Sequence, residues 1–143
     1  VQVRPVVGSA VVALELVTGQ RLWELSLAGI STPAVAGEWI FTLTDDARLL
    51  AIQKSSGRAR WITQLREWRK AKKQEGQVFW TGPVLAGNRL WVANSLGELY
   101  AANVTDGTAV QYADLGSSVS LPPVVANRTL YIMNDDGKIT AYR

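Results

Sequence analysis

A chain of 143 residues with 48% hydrophobic and 19% charged side chains can bury a core of ordinary domain size and is not disordered by composition. Cysteine and histidine are both absent, which excludes disulfides, thiol nucleophiles, Ser-His-Asp triads and zinc or haem sites built on those side chains. The net charge of +3 is local: Arg66, Arg69, Lys70, Lys72 and Lys73 stand against Glu67 and Glu75, and the other 10 cations and 10 anions cancel.

The first residues, VQVRPVVGSA, lack the charged start and long apolar core of a signal peptide. No apolar run reaches the roughly 18 to 20 residues of a membrane helix, so the expectation is a soluble chain. Residues near 10 to 17 read as a leading strand. Beyond them the sequence repeats. TPAVAGEWIFTLTDDARLLAI, GPVLAGNRLWVANSLGELYAA and PPVVANRTLYIMNDDGKITAY align with Pro33, Pro83 and Pro123 in register, each followed 18 residues later by Ala51, Ala101 or Ala141. Within each copy two alternating apolar stretches flank a turn-rich tetrad, TDDA, SLGE or NDDG, which predicts β-hairpins.

A second pattern follows the alanines. ALELVTGQRLW (Ala13, Gly19, Trp23) and AIQKSSGRARW (Ala51, Gly57, Trp61) share offsets; a third copy keeps Ala101 and Gly107 but has Gln111 in the tryptophan slot. The glycine reverses the chain at positive φ, and the tryptophan is read as packing between neighbouring sheets over the small alanine. Trp39 and Trp91 are read as ordinary sheet residues. Units of about 40 residues and four short strands predict an all-β, β-propeller segment: about three four-stranded antiparallel blades (21–53, 58–103 and 109–142) plus the leading strand. Pro33 and Pro83 are 50 apart where Pro83 and Pro123 are 40 apart. About 10 extra residues therefore lie in the charged connection 66–80, REWRKAKKQEGQVFW.

The Ala…Gly…Trp pattern resembles the tryptophan-docking motif of PQQ-like, or quinoprotein-type, β-propellers, and the longer string from LWELSLAG to NVTDG is similar to the C-terminal part of the BamB family of outer-membrane-protein assembly factors in its alphaproteobacterial form. That resemblance implies a non-catalytic periplasmic scaffold at the outer membrane that partners the β-barrel insertase and needs no quinone or other cofactor. It also implies an eight-bladed ring and a lipidated cysteine, neither of which these residues supply. About three blades cannot close a ring, so the chain is expected to be a fragment of a larger propeller or to associate with copies of itself.

The carboxylate pairs Asp45-Asp46 and Asp135-Asp136 share one repeat position and are read as turn formers rather than metal ligands or acid-base pairs. No catalytic, cofactor-binding or metal-binding residue is expected, although a remnant of a PQQ-dependent dehydrogenase, or a self-associating piece without independent function, remains the alternative. Partner binding is assigned to Arg66, Trp68, Arg69, Lys70, Lys72 and Lys73. A helical reading of 66–75 would place Arg66, Arg69, Lys70 and Lys73 on one stripe, but Trp68 alone makes no apolar face, so no direct membrane insertion is expected. Nucleic acid is not expected either, because the charge does not extend into a groove.

Overall fold

The computed structural model describes residues 2–6, 10–27 and 31–143. Strands β1 (Gln2–Val6), β2 (Ala10–Leu14) and β3 (Arg21–Ser26) form a first antiparallel sheet; β4 (Ala34–Ala36), β5 (Trp39–Leu43), β6 (Arg48–Gln53) and β7 (Ala59–Gln64) form a second. The extra connection contributes a small hairpin, β8 (Trp68–Lys70) and β9 (Glu75–Gln77). A third sheet holds β10 (Trp80–Ala86), β11 (Arg89–Asn94), β12 (Glu98–Asn103) and β13 (Ala109–Asp114), and a fourth holds β14 (Val124–Ala126), β15 (Thr129–Met133) and β16 (Ile139–Tyr142). Strand order follows sequence order in every sheet, as short connections demand.

The all-β class is as expected, but the blade boundaries fall elsewhere. Strand β3 was assigned to a blade running 21–53, yet it pairs with β2, placing Trp23 opposite Ala13; likewise β7 pairs with β6, placing Trp61 opposite Ala51. The tryptophan strand therefore ends the sheet of the preceding alanine instead of opening the next one, so 58–103 and 109–142 are displaced in the same way. Residues 28–30, inside the first expected blade, lie outside the described residues. Turn geometry is the reason. Gly19 donates to Glu15 O and Glu15 to Gln20 O, and the same two bonds recur as Gly57 to Gln53 with Gln53 to Arg58, and Gly107 to Asn103 with Asn103 to Thr108, all at 2.8–2.9 Å. A tight turn of this kind closes an antiparallel pair at once. The described strands of these sheets thus form two four-stranded and two three-stranded antiparallel sheets.

Apolar residues of β5 and β6 leave the second sheet on both faces. Ile40, Leu50 and Ile52 join Val11 and Leu27 towards the first sheet, whereas Phe41, Leu43, Leu49 and Ala51 join Leu90, Val92 and Ala102 towards the third. Between the third and fourth sheets lie Ala93, Leu99, Leu115, Val119, Leu130 and Ile132. Each core sits between consecutive sheets, the arrangement in which a face-to-face stack buries side chains that alternate along every strand. The inner ends of the sheets meet as well: Pro33, Pro83 and Pro123, aligned in the repeat, line one open concavity of about 700 Å³ with Ser31, Thr81 and Leu85.

Candidate protein-interaction surface

The chain enters the hairpin from β7 and leaves it into β10, so the hairpin bridges the second and third sheets. Its base is closed by the Val78 N–H donating to Glu67 O at 2.8 Å and by the Trp80 indole N–H donating to Arg66 O at 2.8 Å. Val78 is buried, and the Trp80 ring meets Tyr100 edge-on at 5.2 Å between centroids. The tip is a single 3₁₀ turn, Ala71–Lys73, followed by Gln74 at φ 50° and Gly76 at φ 72°. Two left-handed residues so close together reverse the chain, which is why the helical stripe over 66–75 does not form. Arg69 crosses Gly76: a Cβ there would lie 3.1 Å from Arg69 Cβ.

The six residues assigned to partner binding therefore occupy one element with different roles. Arg66, itself exposed, folds back along the hairpin, donating from Nε to Trp68 O (3.1 Å) and from Nη2 to Arg69 O (2.7 Å), and so braces the hairpin backbone. Trp68 is half-buried at the base. Arg69, Lys70, Lys72 and Lys73 are exposed; Lys70 reaches Glu75 at 3.8 Å across the hairpin, with both side chains more than half exposed. Tyr100 also registers the nearby charges. Burial and Glu98 push its hydroxyl above the usual tyrosine value, against the opposite pull of Arg66.

Ala13, Gly19, Trp23, Ala51, Gly57, Trp61, Ala101 and Gly107 lie in the sheets and their turns. The Trp23 indole N–H donates to Lys54 O at 2.7 Å and its ring covers Gly57, where a Cβ would stand 2.8 Å from Cδ2. Trp61 repeats this one sheet on, donating to Val104 O at 3.0 Å and covering Gly107, while the Thr63 hydroxyl donates to Gly107 O at 2.6 Å. A bulge precedes each ring: the register slips between Ala13 and Leu14 and between Ala51 and Ile52, so Leu22 and Arg60 are extra residues. The added twist of a bulge turns the tryptophan out towards the neighbouring sheet. In the third copy the slip moves to Leu99/Tyr100, and Gln111 faces Tyr100 instead of Ala101.

Asp45-Asp46 and Asp135-Asp136 occupy the β5–β6 and β15–β16 turns. Burial pushes the Asp46 carboxyl up, but hydrogen bonds from Thr44 Oγ1 and the Arg48 guanidinium, 2.8 Å away, outweigh it and hold the group below the usual carboxylate range. Asp135 is lowered by the hydroxyls of Ser118 and Ser120, the latter at 2.8 Å. Asp106, lowered by the Thr108 N–H and hydroxyl, caps the turn that carries Gly107. Among the described residues no three of His, Cys, Asp or Glu gather as a metal site.

One feature went unread in the sequence. Trp91, Tyr112 and Tyr142 meet edge to face, at 5.0 and 5.6 Å between centroids, and line an open cleft of about 420 Å³ between the third and fourth sheets with Leu130, Arg128 and Arg143. Burial and then Tyr112 raise the Tyr142 hydroxyl above its usual value. The clue available was Gln111: where the docking tryptophan is replaced, other aromatics take over the inter-sheet contact.

The family model described as outer membrane protein assembly factor BamB matches residues 7–143. Outer membrane protein assembly factor BamB of Salmonella typhimurium is 32% identical over 130 residues, covering 90% of this chain and 31% of that protein. The protein of the same name from Xanthomonas campestris pv. campestris is 29% identical over 132 residues, covering 92% and 30%. The chain therefore spans just under a third of the length of these curated relatives. The crystal structure of BamB from Moraxella catarrhalis is similar with a TM-score of 0.80 at 18% identity, over 94% of this chain and 38% of that one. The computationally designed Ika4 protein matches with a TM-score of 0.77 at 12% identity, over 98% of this chain and 82% of that one. At these identities both structures speak to fold alone, and the sheet stack is a β-propeller segment.

Proposed function

This chain belongs to the family of the outer membrane protein assembly factor BamB, and from that footing we propose that it is part of a non-catalytic, protein-binding scaffold that assists assembly and insertion of β-barrel proteins into the outer membrane. It works from the periplasmic side, with the β-barrel insertase as its partner. The observation that carries this reading is the continuous family match over residues 7–143. The side-chain chemistry supports it: the paired carboxylates form turns and the repeat tryptophans pack between sheets, leaving the braced cationic hairpin, the aromatic cleft and the proline-lined concavity among the accessible features. Binding to a partner through Arg69, Lys70, Lys72 and Lys73 is part of this proposal.

Two measurements test it. Affinity capture on the protein from outer-membrane extracts is expected to retain a β-barrel assembly protein, and incubation with PQQ and calcium is expected to yield neither bound quinone absorbance nor dye reduction. Quinone uptake with dye-reducing activity would instead establish the dehydrogenase remnant. Self-association belongs to the same proposal, because Val124, Tyr131, Met133 and Ile139 are between 38% and 64% exposed on the fourth sheet. Light scattering is expected to report a mass above that of one chain.

A further inference from the structure

We propose that the tip of the β8–β9 hairpin is a docking point for an acidic, extended segment of a partner protein. The inference rests on the scaffold reading and supplies the chemistry of one partner contact. The hairpin is built rather than slack: two hydrogen bonds close its base, Val78 is buried beneath it, and the Arg66 guanidinium ties the Trp68 and Arg69 carbonyls. Of the five cations, Arg66 bonds the hairpin backbone and Lys70 faces Glu75 across it, which leaves Arg69, Lys72 and Lys73 outside that construction.

Arg69, Lys70, Lys72 and Lys73 are held together within a few residues, all exposed. No acid lies in the 3₁₀ turn, and Glu75 at 3.8 Å from Lys70 is the one counter-charge within ion-pair distance of the tip among the described residues. Four like charges on an ordered tip repel one another, and a polyanion removes that repulsion while gaining steering at long range. Each strand of the hairpin has three residues, about 10 Å of extended chain, so three or four residues of an extended acidic segment span it.

The competing anions fit less well. A membrane-surface element sets large apolar side chains opposite its cations, whereas the tip offers only Ala71, and Trp68 lies half-buried at the base. Single-stranded nucleic acid requires stacking aromatics along an extended basic groove, and the charges outside the hairpin sum to zero.

The test is fluorescence anisotropy of a labelled ten-residue Asp/Glu-rich peptide titrated with the protein at low salt. Saturable binding is expected, with no binding of the Asn/Gln counterpart. Replacing Arg69, Lys72 and Lys73 together by Gln is expected to weaken it roughly tenfold, at the additive value of three exposed ion pairs. Lys72→Glu alone is expected to weaken it further than Lys72→Gln, with unchanged far-UV circular dichroism for each variant. Failure of the acidic peptide to bind, or equal binding by the triple variant, overturns the proposal. So does preferential binding to phosphatidylglycerol vesicles or to an oligonucleotide that the peptide cannot displace. Capture of a barrel assembly protein is scored separately, so hairpin binding without such capture would sink the scaffold reading while leaving the acidic site in place.

Discussion

Gly19 and Gly107 hold the same turn position in different copies, at φ 72° and 77°, but a side chain at each would meet different surroundings. A Cβ at Gly107 would stand 2.4 Å from Trp61 Cε3, whereas one at Gly19 meets nothing within 4 Å. Gly19→Ala is therefore expected to cost about 1 to 2 kcal/mol from backbone strain alone. Gly107→Ala is expected to cost about 1 to 3 kcal/mol more, since the indole has to move. Urea denaturation of the two variants checks the difference; equal losses would mean that the glycine serves only the turn. Asp46 makes the second residue-scale prediction. Its folded pKa lies below the ordinary value, so its bonds to Thr44 and Arg48 stabilise the fold above that value and are lost as pH falls through the folded pKa. The gap in Tm between the native chain and Asp46→Asn is expected to shrink as the pH falls from about 5 through and below the usual aspartate value of about 4. The turn role of these aspartates was legible because hairpin tetrads call for Asp, Asn and Gly. That Gly57 and Gly107 are also seats for a ring was not legible, since the ring arrives from a strand 34 or more residues away.

At the scale of elements, the repeat located nearly every strand and attached three of them, β3, β7 and β13, to the following sheet. The Pro-to-Ala interval contains the three inner strands; the tryptophan strand was attached forwards when its turn ties it backwards. Both attachments obey the same 38- or 40-residue period, so periodicity cannot choose between them, whereas hydrogen bonds across a tight turn do. The charged connection, expected over 66–80, holds the β8–β9 hairpin, and Trp80 already opens β10 of the third sheet. Its hairpin form was hidden because three-residue strands with every residue but Trp68 exposed carry no hydrophobic alternation. Removing Arg69 to Lys73 leaves the Val78 and Trp80 anchors outside the deletion. The Tm of that variant is expected to stay within a few degrees of the native chain while capture of the partner falls, by calorimetry and affinity capture respectively. A fall in Tm of ten degrees or more would make the hairpin part of the fold's support.

For the whole molecule, stacking decides which faces remain open. Three cores lie between consecutive sheets, and the fourth sheet turns Leu130 and Ile132 towards the third while Tyr131 and Met133, the alternate residues of β15, stay 38% and 41% exposed. Val124 pairs with Tyr131 and Ile139 with Met133, so these four residues form one apolar patch. A patch of that kind is where the proposed self-association would act. Tyr131→Lys with Ile139→Lys is expected to shift the light-scattering mass towards that of one chain without loss of β-sheet signal. An unchanged mass would place self-association elsewhere.

The residues alone were enough to establish the all-β class, the repeat period, the kinship with the BamB family and the position of the one charged insertion. All of these are local or periodic properties that a linear string records. Sheet membership of the tryptophan strands, the convergence of Pro33, Pro83 and Pro123 on one concavity, the aromatic cleft beside Gln111 and the bracing role of Arg66 belong to the folded molecule. Each depends on hydrogen bonds or contacts between segments whose separation along the chain says nothing of their distance in space.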